Sequence, residues 1–128
     1  MNAQIALKQY GEVKVKAAVA NASPHDLIKM LYDGLLERIS QMKGAIQQNN
    51  IELKNKKVNQ AISIVSGLRE SLDLDSGIEL SYRLDNIYDY VQRQLWQAHT
   101  KNDTVILDEC VKLIVEISTA WTEIAQQD

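Results

Sequence analysis

Residues 23–47, SPHDLIKMLYDGLLERISQMKGAIQ, decide the fold. Ser23 can cap a helix, Pro24 suits its first position, and Asp26 meets the positive end of the helix dipole. Behind this start Ile28, Leu31, Leu35, Ile39, Met42 and Ile46 recur at steps of three and four, the period of one helix face. Asn49-Asn50 closes the run. Further along, Val58, Ala61, Ile62, Val65, Leu68 and Leu72 form a second stripe, which stops in the turn-like Leu72-Asp73-Leu74-Asp75-Ser76-Gly77. Ser76-Gly77-Ile78-Glu79 has the S-x-x-E form of a capping box. A third stripe follows in Leu80, Leu84, Ile87, Val91, Leu95 and Ala98. Thr100-Lys101-Asn102-Asp103 breaks it, with Asn102 or Asp103 as the next cap. Ile106, Cys110, Leu113, Ile117, Trp121 and Ile124 make the fourth stripe.

Segments of roughly 22 to 25 residues are about 33 to 38 Å long at 1.5 Å per residue. Equal helices joined by short turns run antiparallel and bury one another's stripes. The spacing therefore predicts an all-α, antiparallel, up-down-up-down four-helix bundle over residues 23–128. Residues 1–22 form a short N-terminal lid segment ahead of it.

Composition agrees. Of 128 residues, 45% are hydrophobic and 24% charged, the balance of one ordinary globular domain. Five glycines and one proline are too few for the many turns of a β-sandwich or barrel. No apolar run approaches the roughly 18 residues of a membrane span, and the N-terminus lacks a secretory pattern. With one cysteine, Cys110, the expected setting is the cytoplasm. A net charge of −3 argues against nucleic acid, and the Lys54-Asn55-Lys56-Lys57 cluster reads as a solvated helix surface.

Some apolar residues fall outside the four stripes. A bundle helix needs an apolar arc of little more than 100°. On the third segment Ile78, Tyr82, Tyr90 and Trp96 lie off the stripe. On the fourth, Leu107, Val111 and Val115 widen the arc to about 200°. On the second, Leu53 and Ile64 point away from the core stripe. These extras are candidate grooves for the chain's own lead, a partner helix or a second copy. The lead itself carries Ile5, Leu7, Tyr10, Val13, Val15 and Val19 without a clean period. Tyr10, a large ring with a polar tip, is its best anchor.

Catalytic chemistry finds little support. His25 and His99 lie far apart, and neither Glu-x-x-His nor His-x-x-x-His occurs. Cys110 on an apolar stripe reads as a small buried hydrophobe. Carboxylate pairs such as Asp85/Asp89 and Asp73/Asp75 read as solubilising. The expectation is no enzyme, no metal and no cofactor. Two rival readings are a self-associating structural bundle and a phosphotransfer module using His99.

Ser23-Pro24-His25-Asp26-Leu27-Ile28-Lys29-Met30-Leu31-Tyr32-Asp33-Gly34-Leu35-Leu36 resembles the S-P-H-x-L-I-x-M-L-Y-D-G-x-L signature of the flagellar export chaperone FliS family. The resemblance continues through Ala61-Ile62-Ser63-Ile64, the Leu72-Asp73 turn and Leu84-Asp85-Asn86-Ile87-Tyr88-Asp89-Tyr90, and ends in Ala120-Trp121. Two departures stand near the start of the third segment: Gly77-Ile78-Glu79 where the family has Gly-Gly-Glu, and Arg83 where it has Asn. The resemblance implies a cytoplasmic chaperone that binds the disordered C-terminal segment of flagellin, prevents premature polymerisation and aids delivery to the flagellar export apparatus. Export-gate and other flagellar proteins are further implied partners, and the expected state is a monomer or weak dimer. The candidate client-binding residues are then Ile64, Leu68, Tyr82, Tyr90, Leu107, Val111 and Val115. Ile5, Leu7, Tyr10 and Val13 are the candidate lid.

Overall fold

The computed structural model describes residues 22–127, with side chains through Glu123. The lid candidates Ile5, Leu7, Tyr10 and Val13 lie outside the described residues. Four helices follow in order: α1 (Pro24–Gln47), α2 (Ile51–Glu70), α3 (Glu79–Lys101) and α4 (Thr104–Gln127). Among the described residues there is no strand, and no helix is long and apolar enough to cross a membrane.

The signals at the helix ends act mostly as their chemistry predicts. Ser23 Oγ accepts from the Asp26 amide at 3.1 Å, while the Ser23 amide donates to Asp26 Oδ2 at 3.3 Å. This reciprocal box starts α1, with Pro24 at the first position. Asn50 Oδ1 accepts from the Leu53 amide at 3.1 Å and starts α2. At the third link both candidate residues are used. Asn102 ends α3 in the left-handed conformation (φ 53°), and Asp103 Oδ1 accepts from the Val105 amide at 2.9 Å to open α4. The second link differs from expectation. Ser76 does not cap α3; its hydroxyl donates to the Asp73 carbonyl at 2.9 Å, and its amide donates to Asp73 Oδ1 at 3.2 Å. Asp73 thus holds Ser76 in a turn, and α3 starts behind Ile78 without a side-chain cap.

The four helices form a ring in which α1 packs on α2 and α4, and α3 packs on α2 and α4. The core is aliphatic: Leu31, Leu35, Ile39 and Met42 of α1 meet Val58, Ala61, Val65 and Leu68 of α2. Val91, Leu95 and Ala98 of α3 complete it with Leu107, Cys110 and Ile114 of α4. One polar contact crosses the diagonal. Tyr32 on α1 and Tyr88 on α3 share a hydrogen bond of 2.6 Å between their hydroxyls, both rings being buried.

Three candidate client-binding residues are corrected here. Ile64, Leu68 and Leu107 are completely buried and belong to the core, not to an outer groove. A helix in a four-membered ring touches two neighbours, so its buried arc is wider than a single stripe. On α2 that arc takes in Ile64 as well as Ala61, Val65 and Leu68. On α4 it centres on Leu107, Cys110, Ile114 and Ser118, leaving Ile106, Leu113, Ile117 and Trp121 half-buried beside it. The third stripe is corrected in the opposite sense. Its first member, Leu80, is 56% exposed, and Leu84 and Ile87 are only half-covered.

Candidate functional site

The uncovered start of α3 leads into an apolar pocket at one end of the bundle, with a volume of about 760 Å³. The start of α1 supplies Pro24, His25, Leu27, Ile28 and Tyr32 to its lining. Across it stand Glu70, Ser71 and Leu72 from the end of α2, Leu84 and Tyr88 from α3, and Trp121 from α4. Ala22, the first described residue, lies at the same wall.

The walls are held in place by identifiable contacts. Trp121 stacks on His25 with ring centroids 4.5 Å apart and planes 5° from parallel. The Trp121 indole N–H also donates to the His25 carbonyl at 3.1 Å. That tie joins the last turns of α4 to the first turn of α1. On the opposite side Arg69 clamps α2 to α3: its Nε donates to Asp85 Oδ1 at 2.8 Å and its Nη2 to Asp85 Oδ2 at 3.3 Å. Arg69 Nη1 reaches Asp89 Oδ1 at 3.2 Å and Gln92 Oε1 at 3.0 Å. The Asp85 hydrogen bond is the largest influence on Arg69 and raises its already high pKa further. The Asp85/Asp89 pair, read above as solubilising, is therefore an interhelical tie. The floor is the Tyr32–Tyr88 pair. Burial pushes both phenols above their usual pKa, so both stay neutral.

None of the seven sequence-predicted client-binding residues lines this pocket. Tyr82 is 49% exposed, its hydroxyl donating to the Leu74 carbonyl at 2.6 Å, so it sits against the link before α3. Tyr90 is exposed, with the Arg93 guanidinium 5.9 Å from its ring centre. On α4, Val111 is half-buried and Val115 exposed. The residues that do line the pocket were partly visible, since Leu72, Leu84 and Trp121 belong to the predicted stripes. What periodicity does not show is that the four described helices cover them only in part.

The polar candidates have structural roles. Lys54 caps the end of α3, donating to the His99 carbonyl at 3.1 Å and to Asn102 Oδ1 at 2.7 Å. Lys54 is thus committed to the α3–α4 link. His99 packs its ring near Trp96, with centroids 5.0 Å apart, and its Nδ1 is buried without a hydrogen-bond partner. Burial and then the Lys54 charge lower its pKa below 6.5. Protonation thus favours the unfolded chain, so stability is complete above pH 6.5 and falls as the pH drops toward the lowered folded-state value. Chemical denaturation of His99→Gln is expected to lose that part of the acid slope while keeping the slope due to carboxylates. Cys110 is buried in the core and its thiol is pushed up to about 11, which makes it a poor nucleophile. Among the described residues no group of histidine, cysteine and carboxylate side chains could hold a metal ion.

Comparison with known proteins agrees with the sequence signature. The family model described as flagellar protein FliS matches residues 6–128. The flagellar secretion chaperone FliSB of Pseudomonas aeruginosa is 42% identical over 125 residues, which are 98% of this chain and 99% of that protein. The flagellar secretion chaperone FliS of Vibrio cholerae is 38% identical, covering 92% of this chain and 87% of its own length. That of Salmonella typhimurium is 36% identical, covering 93% and 89%. Similarity therefore runs through the pocket end as well as the core, and the chain belongs to the FliS family of flagellar proteins.

Proposed function

We propose that the chain is a cytoplasmic, non-enzymatic secretion chaperone that seats the C-terminal segment of flagellin in the end pocket. By keeping that segment from premature polymerisation, it would aid delivery to the flagellar export apparatus. The observation that carries this reading is the pocket itself. It is a large apolar site built from helix-stripe residues that the bundle leaves uncovered. A segment that orders on binding gives up conformational freedom and needs such a site to recover it through burial. At about 25 cal/mol per Å² of apolar surface removed from water, a few hundred Å² offsets several kcal/mol of ordering. The half-buried Val111 and the exposed Tyr82, Tyr90 and Val115 would extend contact along the outside of the bundle for a longer client.

The lead is the natural competitor. Ile5, Leu7, Tyr10 and Val13 would occupy the client's site as a lid, since the lead joins the bundle at Ala22, on the pocket wall. A lid contributing about 1.4 kcal/mol of occlusion weakens client binding about tenfold. Calorimetric titration with a flagellin C-terminal peptide tests both parts. Tyr10→Ala is expected to tighten binding up to about tenfold. The affinity is expected to change little between low and high salt, because apolar docking is not screened. Unchanged or weaker binding by Tyr10→Ala would count against competition. No heat and no complex at any salt would count against the client.

A further inference from the structure

Arg69 and the two carboxylates that it holds stand beside the pocket wall in sequence. Arg69 precedes Glu70, Ser71 and Leu72, while Asp85 follows Leu84 and Asp89 follows Tyr88. On α3 the row facing the pocket, Leu84 and Tyr88, and the row facing Arg69, Asp85 and Asp89, lie about 100° apart around the axis. The start of α3 is otherwise loosely fixed. It follows Ile78 without a side-chain cap, and Leu80 in its first turn is exposed. The Tyr82 hydroxyl binds the link before α3, and Arg83 pairs with Glu79 of α3 itself. Among the described residues Asp85 is therefore the first α3 side chain hydrogen-bonded to another helix. Gln92 extends the tie, its Nε2 donating to Ser66 Oγ at 2.9 Å and to the Ile62 carbonyl at 3.2 Å.

We infer that Arg69 is a positioning residue for client binding. By holding Asp85 and Asp89 it sets the rotation of α3 about its axis, and with it the direction in which Leu84 and Tyr88 face the client. This rests on the reading of the pocket as the client's seat. Arg69 itself does not line the pocket, so it acts through α3. Its planar fork suits the task. Nε and Nη2 meet the two oxygens of Asp85, and Nη1 reaches Asp89 one turn further along. Contacts at two successive turns resist a rotation that a single contact permits. With side chains about 5 Å from the helix axis, a turn of about 20° moves the pocket row by almost 2 Å. That is about half the contact distance between two carbons, enough to spoil the packing of an apolar ligand. Apolar docking supplies no directional bonds of its own, so the fit depends on walls already in place.

The test is calorimetric titration of the full-length chain with a flagellin C-terminal peptide, comparing wild type with Arg69→Met, Asp85→Asn, the double variant and Val58→Ala. Arg69→Met keeps the length of the side chain and removes the fork, so binding should weaken about fivefold. Asp85→Asn leaves one acceptor and should weaken binding about threefold. The double variant should bind no more weakly than Arg69→Met, because both changes break one clamp. A multiplied loss of about fifteenfold would mean that the two side chains act separately on the peptide, and it overturns the proposal. Val58 is buried on α2, roughly 18 Å along the helix from Glu70. Val58→Ala should lower the melting midpoint yet leave affinity within about twofold. Equal loss of affinity in Val58→Ala and Arg69→Met would make the effect general loosening, and overturns the proposal, as does unchanged affinity in Arg69→Met. If circular dichroism shows that Arg69→Met has lost the bundle, Asp85→Asn decides: weaker binding supports the proposal and unchanged binding overturns it. Amide exchange over residues 82–88 is read on the same proteins without peptide. It should be about fivefold faster in Arg69→Met or Asp85→Asn and unchanged in Val58→Ala. Failure of the wild type to bind peptide counts against the chaperone reading, whereas the exchange rates decide whether the clamp holds the pocket wall.

Discussion

Ile64→Asp is expected to abolish the cooperative unfolding transition of the bundle, while Val115→Asp leaves it within about 0.5 kcal/mol of wild type. Both positions fall outside the simple apolar stripes of their helices, and both would pass as surface sites by that criterion. The structure separates them. Ile64 is 0% exposed in the core cluster, whereas Val115 is 44% exposed on α4. A carboxylate at position 64 would have to lose its hydration or take up a proton, and it would also remove the packing of a buried isoleucine. Together these effects cost more than about 4 kcal/mol, close to the whole stability of a small domain. Urea titration followed by far-UV circular dichroism reads both variants. Two similar transitions would mean that α2 does not bury Ile64.

Trp121→Ala has the second-largest expected effect. The indole covers part of the core edge, stacks on His25, and holds the His25 carbonyl through its N–H. Truncating a fully buried aromatic costs about 3–5 kcal/mol, so the half-buried Trp121 should cost about 2–3 kcal/mol. For a chain of 128 residues that corresponds to a melting point lower by about 10 °C. Its second consequence is specific to the site. The α1–α4 wall of the pocket loses its tie, so affinity for the client peptide should fall further than any general loosening explains. Trp121→Phe, which keeps the stack and drops the hydrogen bond, should recover most of both losses. Thermal melts and peptide titration of the two variants give the check.

These two residues also mark what the sequence made legible. Helix number, order and approximate ends could be read because the signals are local. Ser23, Pro24 and Asp26 lie within one turn, and the stripe behind them repeats every three to four residues. Ile64 and Leu107 were misplaced because periodicity measures one stripe, while each helix of the ring packs against two neighbours. Ser76 was misassigned for a different reason. The S-x-x-E pattern competes with Asp73, which captures the serine first. The Arg69–Asp85 clamp spans 16 positions and the Tyr32–Tyr88 bond 56, so both depend on an interhelical register that no local spacing encodes. The pocket was hidden for the same reason. Leu72, Leu84 and Trp121 have the spacing of core residues, and only the late start of α3 and its uncovered first turns leave them open.

The most direct test of the central claim, that the end pocket seats the flagellin C-terminal segment, is the affinity of that peptide for Leu84→Asp beside Val115→Asp. Leu84 lines the pocket and is only partly buried, so a carboxylate there keeps access to water in the free protein while opposing an apolar ligand. The account predicts at least about a tenfold weaker complex for Leu84→Asp, equivalent to about 1.4 kcal/mol, with helicity retained. For Val115→Asp it predicts a change of less than about threefold, under 1 kcal/mol. Equal affinities for Leu84→Asp and wild type, in a folded protein, would place the client elsewhere and contradict the claim.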